Sequence, residues 1–255
     1  MKTENQQNIL LKYVLGLADD AVVMGHRLSE WCSNAPYLEE DIALGNIALD
    51  YIGRARMFYQ YAAQIEGLGR SEDDLAYTRT EREFTNLLIL ELPIGDFAFT
   101  LVRQFFVDVF YVNYLKQLKD SKDETLAAIA AKAIKESRYH LKRSEPWITQ
   151  LSLGTEESRQ RVLNAIEELT SFVGELFEMT AIEETLCSEG IAVDRRALQP
   201  IWDNYVQQFL KTCDINFAPS QKLVVGGREG LHTEHLGHML AEMQYLQRTY
   251  PGLSW

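Results

Sequence analysis

Apolar residues recur at helical spacing along almost the whole chain, and this periodicity constrains the fold more than any other feature. It predicts helices at about residues 7–31, 38–66, 80–118, 121–151, 155–187, 194–213 and 231–249. The long patterns would each span roughly 40 Å at about 1.5 Å per residue. No run of alternating strand residues and no internal repeat interrupts them. The sequence therefore predicts an all-α fold, a ferritin-like four-helix bundle with additional flanking helices.

Local signals place the predicted helix ends. Pro93 and Gly95 must bend or split the pattern from residue 80 to 118, because proline removes a backbone hydrogen bond and clashes with the preceding turn. The run Ser121-Lys-Asp-Glu124 has the form of a capping box, and Thr155 followed by two glutamates predicts the next helix start. The second helix carries apolar residues at helical spacing: Leu38, Ile42, Leu49, Ile52 and Tyr59.

Composition limits the class of protein. The chain has 255 residues, of which 46% are hydrophobic and 24% charged, and we predict a single domain over residues 1–255. The net charge of −12 opposes binding to nucleic acid and to anionic membranes. The sequence predicts neither a signal peptide nor a membrane span. Cys32, Cys187 and Cys213 form no C-x-x-C motif and are typical of buried thiols in a reducing cytoplasm.

Ferritin-like bundles often hold two metal ions through a carboxylate from each of two helices and a Glu-x-x-His from each of the other two. This chain has five histidines. His140 follows Glu136 by four residues and not three, and an ordinary helix-surface pair is the alternative interpretation. His26 has no acidic residue three or four positions before it. The sequence therefore lacks a complete ligand set of this kind.

Several carboxylates could still form the remnant of such a site. Asp50 lies in the second predicted helix, Glu83 early in the third, and Glu167 with Glu168 along the fifth. Each has a plainer interpretation, since Asp50 has Arg54 one turn later and the glutamate pair suits a solvated face. The remnant-site candidates are Asp50, Glu83, Glu136, His140 and Glu167.

Three further histidines cluster near the last predicted helix, at positions 232, 235 and 238. Steps of three residues drift about 60° around a helix, so the three cannot all face one ion. We predict that His232, Glu234 and His235 have structural or interface roles, with Thr233 or the loop before it capping the helix. A zinc site at His232 and His235 is the alternative.

Several stretches carry a resemblance to a known family. They are Glu30-Trp-Cys-Ser-Asn-Ala-Pro36, residues 38–50 with Gly53-Arg-Ala-Arg56, residues 131–136 with Tyr139-His140, Ser188-Glu-Gly-Ile-Ala-Val-Asp194, Gly230-Leu-His-Thr-Glu-His-Leu-Gly237, and residues 240–248. Together they resemble the C subunits of the bacterial ring-1,2-phenylacetyl-CoA epoxidases, multicomponent monooxygenases of phenylacetate breakdown. The likeness extends over nearly the whole chain, and the motif near its end is specific.

The resemblance implies a function that composition and spacing cannot give. In that family the A subunit is the diiron oxygenase that epoxidises the ring of phenylacetyl-CoA with O2 and electrons from a reductase. The C subunit shares the ferritin-like fold, pairs with the A subunit and is regarded as structural. We therefore expect no cofactor in this chain, a diiron centre in the partner, further small subunits and a reductase as partners, and a cytoplasmic location.

The resemblance also implies that the C subunit lines part of an acyl-CoA cleft. We place this lining at Glu83, Phe84, Thr85, Asn86, Glu184, Thr185 and Leu186. Three interpretations stay open at this point: a non-catalytic subunit, a ferritin-like diiron oxygenase in its own right, and a zinc hydrolase. A homodimer in the absence of partners is a further open question. Metal content separates the three functions.

Overall fold

The computed structural model describes residues 4–220 and 222–253, and within these ranges the chain is all-α without a strand. The helices are α1 (Glu4–Ser29), α2 (Leu38–Glu66), α3 (Glu72–Tyr77), α4 (Leu88–Glu91), α5 (Phe97–Leu118), α6 (Glu124–Leu153), α7 (Glu156–Val173), α8 (Ala181–Ser188), α9 (Gln199–Thr212), α10 (Glu234–Met243) and α11 (Tyr245–Thr249). Short 3-10 turns cover Glu81–Glu83, Gly174–Phe177, Arg196–Leu198 and Gly227–Glu229. None of the helices in the described ranges is long and apolar enough to cross a membrane.

The chain divides into two compact units, and the prediction of one domain over residues 1–255 stays a prediction. Unit 1 comprises Met1–Glu30, Leu44–Pro93 and Gly226–Trp255. Within it α1 and α2 approach closely at Gly25, where an added Cβ would lie 2.8 Å from Ile52 Cδ1 and 3.2 Å from the Ala48 carbonyl oxygen. A larger residue at this position would displace the Ile52 side chain and crowd the Ala48 carbonyl oxygen, so glycine allows the two helices to approach this closely.

The core-facing side of α2 differs from the stripe seen in the sequence. Tyr59 is buried, but Leu38, Ile42 and Leu49 are exposed. The face that is buried consists of Leu44, Ile47, Ala48, Tyr51, Arg54, Ala55, Phe58, Tyr59 and Ala62. The helix thus has two apolar faces, and periodicity alone cannot tell which of them is covered by the core.

Unit 2 comprises Trp31–Ala43 and Ile94–Val225. Its centre is α5, which packs mainly against α6 and also against α7 and α9. Nearly every side of α5 is buried, and the Trp202 indole nitrogen of α9 donates to the Phe106 carbonyl oxygen at 2.9 Å. Of the three thiols predicted to be buried, only Cys213 is fully so. Cys32 is exposed and Cys187 is half-buried.

The predicted helix from residue 80 to 118 is helical only from Phe97 onwards, apart from a 3-10 turn and the single turn of α4. The preceding residues are extended because buried carboxylates bind their amides: Thr85 N–H donates to Asp19 at 2.9 Å and Leu87 N–H donates to Asp20 at 2.8 Å. Helical periodicity cannot reveal backbone groups that are satisfied by distant side chains.

Three further predicted helices are shorter or interrupted. The pattern from 155 to 187 breaks at the 3-10 turn after Val173, and α8 begins only after Thr180, which caps it. The helix predicted to begin at residue 194 begins only at Gln199, after the 3-10 turn at Arg196–Leu198. The last pattern begins at Glu234 and is interrupted at Gln244, whose buried amide donates to the Ala76 and Arg79 carbonyl oxygens.

The start of α6 also differs from the predicted capping box. Asp123 is the N-cap, and its carboxylate accepts from the Leu126 amide at 3.1 Å. Ser121 lies two residues before this cap: its hydroxyl donates to the Ile191 carbonyl oxygen at 2.7 Å and accepts from the Asp123 amide at 3.1 Å. The predicted start at Thr155 is confirmed, with Thr155 capping α7.

We expect Asp123→Ala to lower the free energy of unfolding by about 1 kcal/mol, because the Leu126 amide loses its acceptor. Glu124→Gln is the matched control, since Glu124 is exposed and contributes only its charge near the helix dipole, about 0.3–1 kcal/mol. Urea unfolding followed by circular dichroism measures both. A larger loss for Glu124→Gln would contradict the assignment of Asp123 as the cap.

Candidate functional site

Within unit 2, α5 and α6 bring a buried acid and a buried histidine together. Asp108 and His140 have no exposed side-chain surface, and His140 Nδ1 lies 3.8 Å from Asp108 Oδ1. Gln104 Nε2 donates to Asp108 Oδ2 at 2.8 Å. His140 is buried in the core, so it does not lie on the helix surface as the alternative interpretation of Glu136 and His140 requires. Asp108 was missed, although an acid inside a run as apolar as α5 is itself a signal.

The predicted remnant-site acids have different surroundings. Glu83 is exposed, and its carboxylate accepts from the Thr80 hydroxyl and amide, which lowers its pKa. Glu167 is exposed on α7, whereas Asp50 and Glu136 are half-buried on α2 and α6. Within residues 4–220 and 222–253 no group of three or more His, Cys, Asp or Glu residues could hold a metal ion. The common origin of these residues in a diiron site stays a prediction.

A second buried cluster lies in unit 1, around Glu91 at the end of α4. The His232 Nδ1 atom is 2.7 Å from Glu91 Oε2, and His232 Nε2 is 2.8 Å from the Phe84 carbonyl oxygen. The Phe84 carbonyl can only accept, so Nε2 donates to it, and Nδ1 donates to the Glu91 carboxylate when the ring is protonated. Glu91 also accepts from the Thr233 amide at 2.6 Å and from Asn86 Nδ2 at 2.8 Å.

The pKa of His232 follows from this geometry. Burial by itself lowers the pKa of an imidazole, but the hydrogen bonds to Glu91 and to the Phe84 carbonyl, with the charge of Glu91, raise the pKa of His232 above its usual value. The cation therefore persists to higher pH in the folded chain than in the unfolded chain. His232 and Glu91 form an ion pair that joins positions 141 residues apart in sequence.

The neighbouring predicted residues behave as parts of a helix start. Thr233 is the N-cap of α10 without a side-chain hydrogen bond, and Glu234 is exposed in the first turn. The carbonyl oxygen of His235 accepts from Arg27 Nη2 at 2.9 Å, and His238 is exposed. Within the described ranges neither His232 nor His235 belongs to a group that could bind zinc.

Two adjacent acids of α1 form the centre of the other buried ion pairs of unit 1. Asp19 pairs with Arg79 and accepts from the Tyr59 hydroxyl at 2.6 Å. Burial and the charge of Asp19 raise the pKa of Tyr59 well above its usual value, so this hydroxyl stays protonated and donates. Asp20 pairs with Arg228 at 2.5 Å. In the sequence both acids only interrupted an apolar stretch, and nothing there indicated their partners.

The residues predicted to line an acyl-CoA cleft have structural contacts of their own. Phe84 is buried, and Thr85 and Asn86 bind Asp19 and Glu91. In unit 2 Glu184 pairs with Arg196 at 2.9 Å. The Thr185 hydroxyl donates to the Ala181 carbonyl oxygen at 2.8 Å, and Leu186 is buried. Their role in binding an acyl-CoA stays a prediction.

We expect His232→Ala to destabilise the chain by about 3–5 kcal/mol, because Glu91 would stay buried without its cation. His235→Ala is the matched control, since the Arg27 contact uses the backbone of His235 and survives the substitution. We expect a loss below about 1 kcal/mol there. Equal losses in thermal and urea unfolding would contradict this assignment.

The ion pair also predicts a pH dependence. Because the folded pKa of His232 is raised, its stabilising contribution is fully present below the unfolded value of about 6.5 and is lost as pH rises through the folded pKa. Between about pH 6 and pH 9, the wild-type chain should therefore lose more stability than His232→Gln. Parallel curves for the two proteins across that window would exclude a titrating His232.

Comparisons with known proteins show the family to which this chain belongs. The family described as phenylacetic acid catabolic protein matches residues 1–255. A protein of Escherichia coli (strain K12), named as the C subunit of 1,2-phenylacetyl-CoA epoxidase, is 50% identical over 248 residues, which cover 97% of this chain and 100% of that protein. The family has a ferritin-like fold, as the sequence predicted. The chain belongs to the phenylacetic acid catabolic protein family.

Proposed function

We propose that this chain is a non-catalytic, cytoplasmic subunit of a complex that epoxidises the ring of phenylacetyl-CoA, where it pairs with a catalytic diiron subunit and supports it. The observation that carries this proposal is the 50% identity with a protein named as the C subunit of such an epoxidase, over the full length of that protein. Other subunits of the same complex are therefore its partners.

The geometry of the polar clusters supports a structural role. A diiron protein needs several acids and histidines directed at a shared pair of ions. Here Asp19, Asp20 and Glu91 have arginine or histidine partners within unit 1. Each of these acids is already neutralised by a cation of the same unit, and loss of either partner would leave an uncompensated buried charge, which is typical of a structural contact. In unit 2 Asp108 and His140 form a buried acid–histidine pair, and among residues 4–220 and 222–253 no group of three or more His, Cys, Asp or Glu residues could hold a metal ion.

We expect the purified chain to contain no stoichiometric iron after iron-supplemented expression, and to leave phenylacetyl-CoA unchanged in the presence of O2 and a reductase. Combined with the other epoxidase subunits, it should form a stable complex and raise turnover. Iron is measured by elemental analysis, complex formation by size-exclusion chromatography, and turnover by loss of phenylacetyl-CoA.

Asp108→Asn provides the matched control for the metal measurement, because it removes the charge of a buried acid that faces His140. About two iron ions per wild-type chain, lost in Asp108→Asn, would make the chain an oxygenase in its own right and overturn the proposal. Separate elution of the chain and the other subunits, with unchanged turnover, would also overturn it.

A further inference from the structure

Three large apolar side chains are exposed where α2 begins. Tyr37 lies directly before the helix and is 60% exposed, and Leu38 and Ile42 are 72% and 56% exposed. All three belong to unit 2. Leu38 and Ile42 are one helical turn apart and therefore share a face of α2. We call Tyr37, Leu38 and Ile42 the α2 knob. Neighbouring exposed apolar side chains indicate an interaction surface more strongly than apolar side chains exposed singly.

An aromatic chain holds the Tyr37 ring in place. The ring stacks on Trp147 of α6 with centroids 6.2 Å apart and planes at 17°. Trp147 meets Phe97 edge-on at 5.2 Å, and Phe97 meets Trp31 edge-on at 5.8 Å. The Trp31 indole nitrogen donates to the Thr100 hydroxyl at 2.9 Å, which anchors the chain in α5. The exposed ring therefore has a rigid support that reaches the core of unit 2.

Polar contacts fix the first turn of α2 as well. Arg143 of α6 forms an ion pair with Glu40 in which both side chains are largely buried. The Ser33 amide donates to Asp41 at 2.6 Å. Because the Tyr37 ring and the first turn of α2 are already held in place, a partner would immobilise less additional side-chain freedom on binding. Pre-ordered aromatic side chains are the usual energetic centres of protein interfaces.

The charge of the chain, and that of Glu39 beside the knob, indicate which kind of partner the knob would bind. Glu39 is exposed between Leu38 and the ion-paired Glu40, and the chain carries a net charge of −12. A second copy would carry the same net charge of −12, and like charges oppose association of the two copies. An apolar pocket edged by lysine or arginine side chains is complementary in both respects.

We propose that the α2 knob inserts into an apolar, basic-edged pocket on a different subunit of the same complex. This inference rests on the proposed function, which supplies the partner subunit, and adds the surface by which the chain docks. Tyr37 would be the central anchor, Leu38 and Ile42 would fill the pocket beside it, and Glu39 would meet the basic edge.

The test measures binding of the full chain to the other purified epoxidase subunits. We expect Ile42→Glu and Tyr37→Ala each to raise the Kd at least tenfold, since central anchors dominate interface affinity. Leu153→Glu is the matched control: Leu153 is 53% exposed on α6 of the same unit but lies outside the knob. Its Kd should stay within about twofold of wild type.

Two further measurements test the role of Glu39 and check that the variants remain folded. Glu39→Lys keeps the knob and should slow association about threefold to tenfold at low salt, with a smaller effect at high salt. Ile42→Glu should leave the melting temperature of the isolated chain unchanged, because Ile42 is exposed there. This variant therefore keeps the test valid if loss of the Tyr37–Trp147 contact disturbs folding in Tyr37→Ala.

If Ile42→Glu binds the other subunits with wild-type affinity, the assignment of the α2 knob as the docking surface is wrong, and the proposed function is unaffected. Failure of the wild-type chain to bind any other subunit would overturn both. If the isolated chain is a dimer and Ile42→Glu converts it to a monomer without changing binding to the other subunits, the knob binds a second copy and the proposal is wrong.

Discussion

The neighbouring carboxylates of Asp19 and Asp20 are the constraint on which the rest of unit 1 depends. Both residues lie on α1 among apolar neighbours, and their side chains have almost no exposed surface. Each binds one arginine and one backbone amide of the segment between residues 85 and 87. A buried charge without a partner is far more costly than a paired one, so these contacts determine where the segment before α4 and the loop at Arg228 must lie.

The same constraint explains which parts of the molecule the sequence could predict. The fold class, the bounds of α2 and the cap at Thr155 follow from periodicity and local capping, which are properties of neighbouring residues. The extended segment before Leu88 could not be predicted, because acids about 66 residues earlier bind its amides. Likewise the exposed Leu38 and Ile42 satisfied the helical pattern without belonging to the core face.

The partners of the candidate site residues could not be predicted from the sequence either. His232 could be singled out from the sequence as structural, but its partner Glu91 could not, because the two residues are 141 positions apart. For His140 the sequence indicates only Glu136 on the same helix, and it does not reveal Asp108 on α5, which lies 3.8 Å from the imidazole. Spacing along one helix identifies residues that share a face. It carries no information about the side chain that an adjacent helix directs at that face.

Unit 1 is built from three separate stretches of chain, and the last of them follows the whole of residues 94–225. Arg228 and His232 lie in that last stretch, so Asp20 and Glu91 are synthesised long before the cations that neutralise them. Contacts over such separations form late, because a long loop must close first. During translation unit 2 can therefore fold first, and unit 1 is completed only when the end of the chain has left the ribosome.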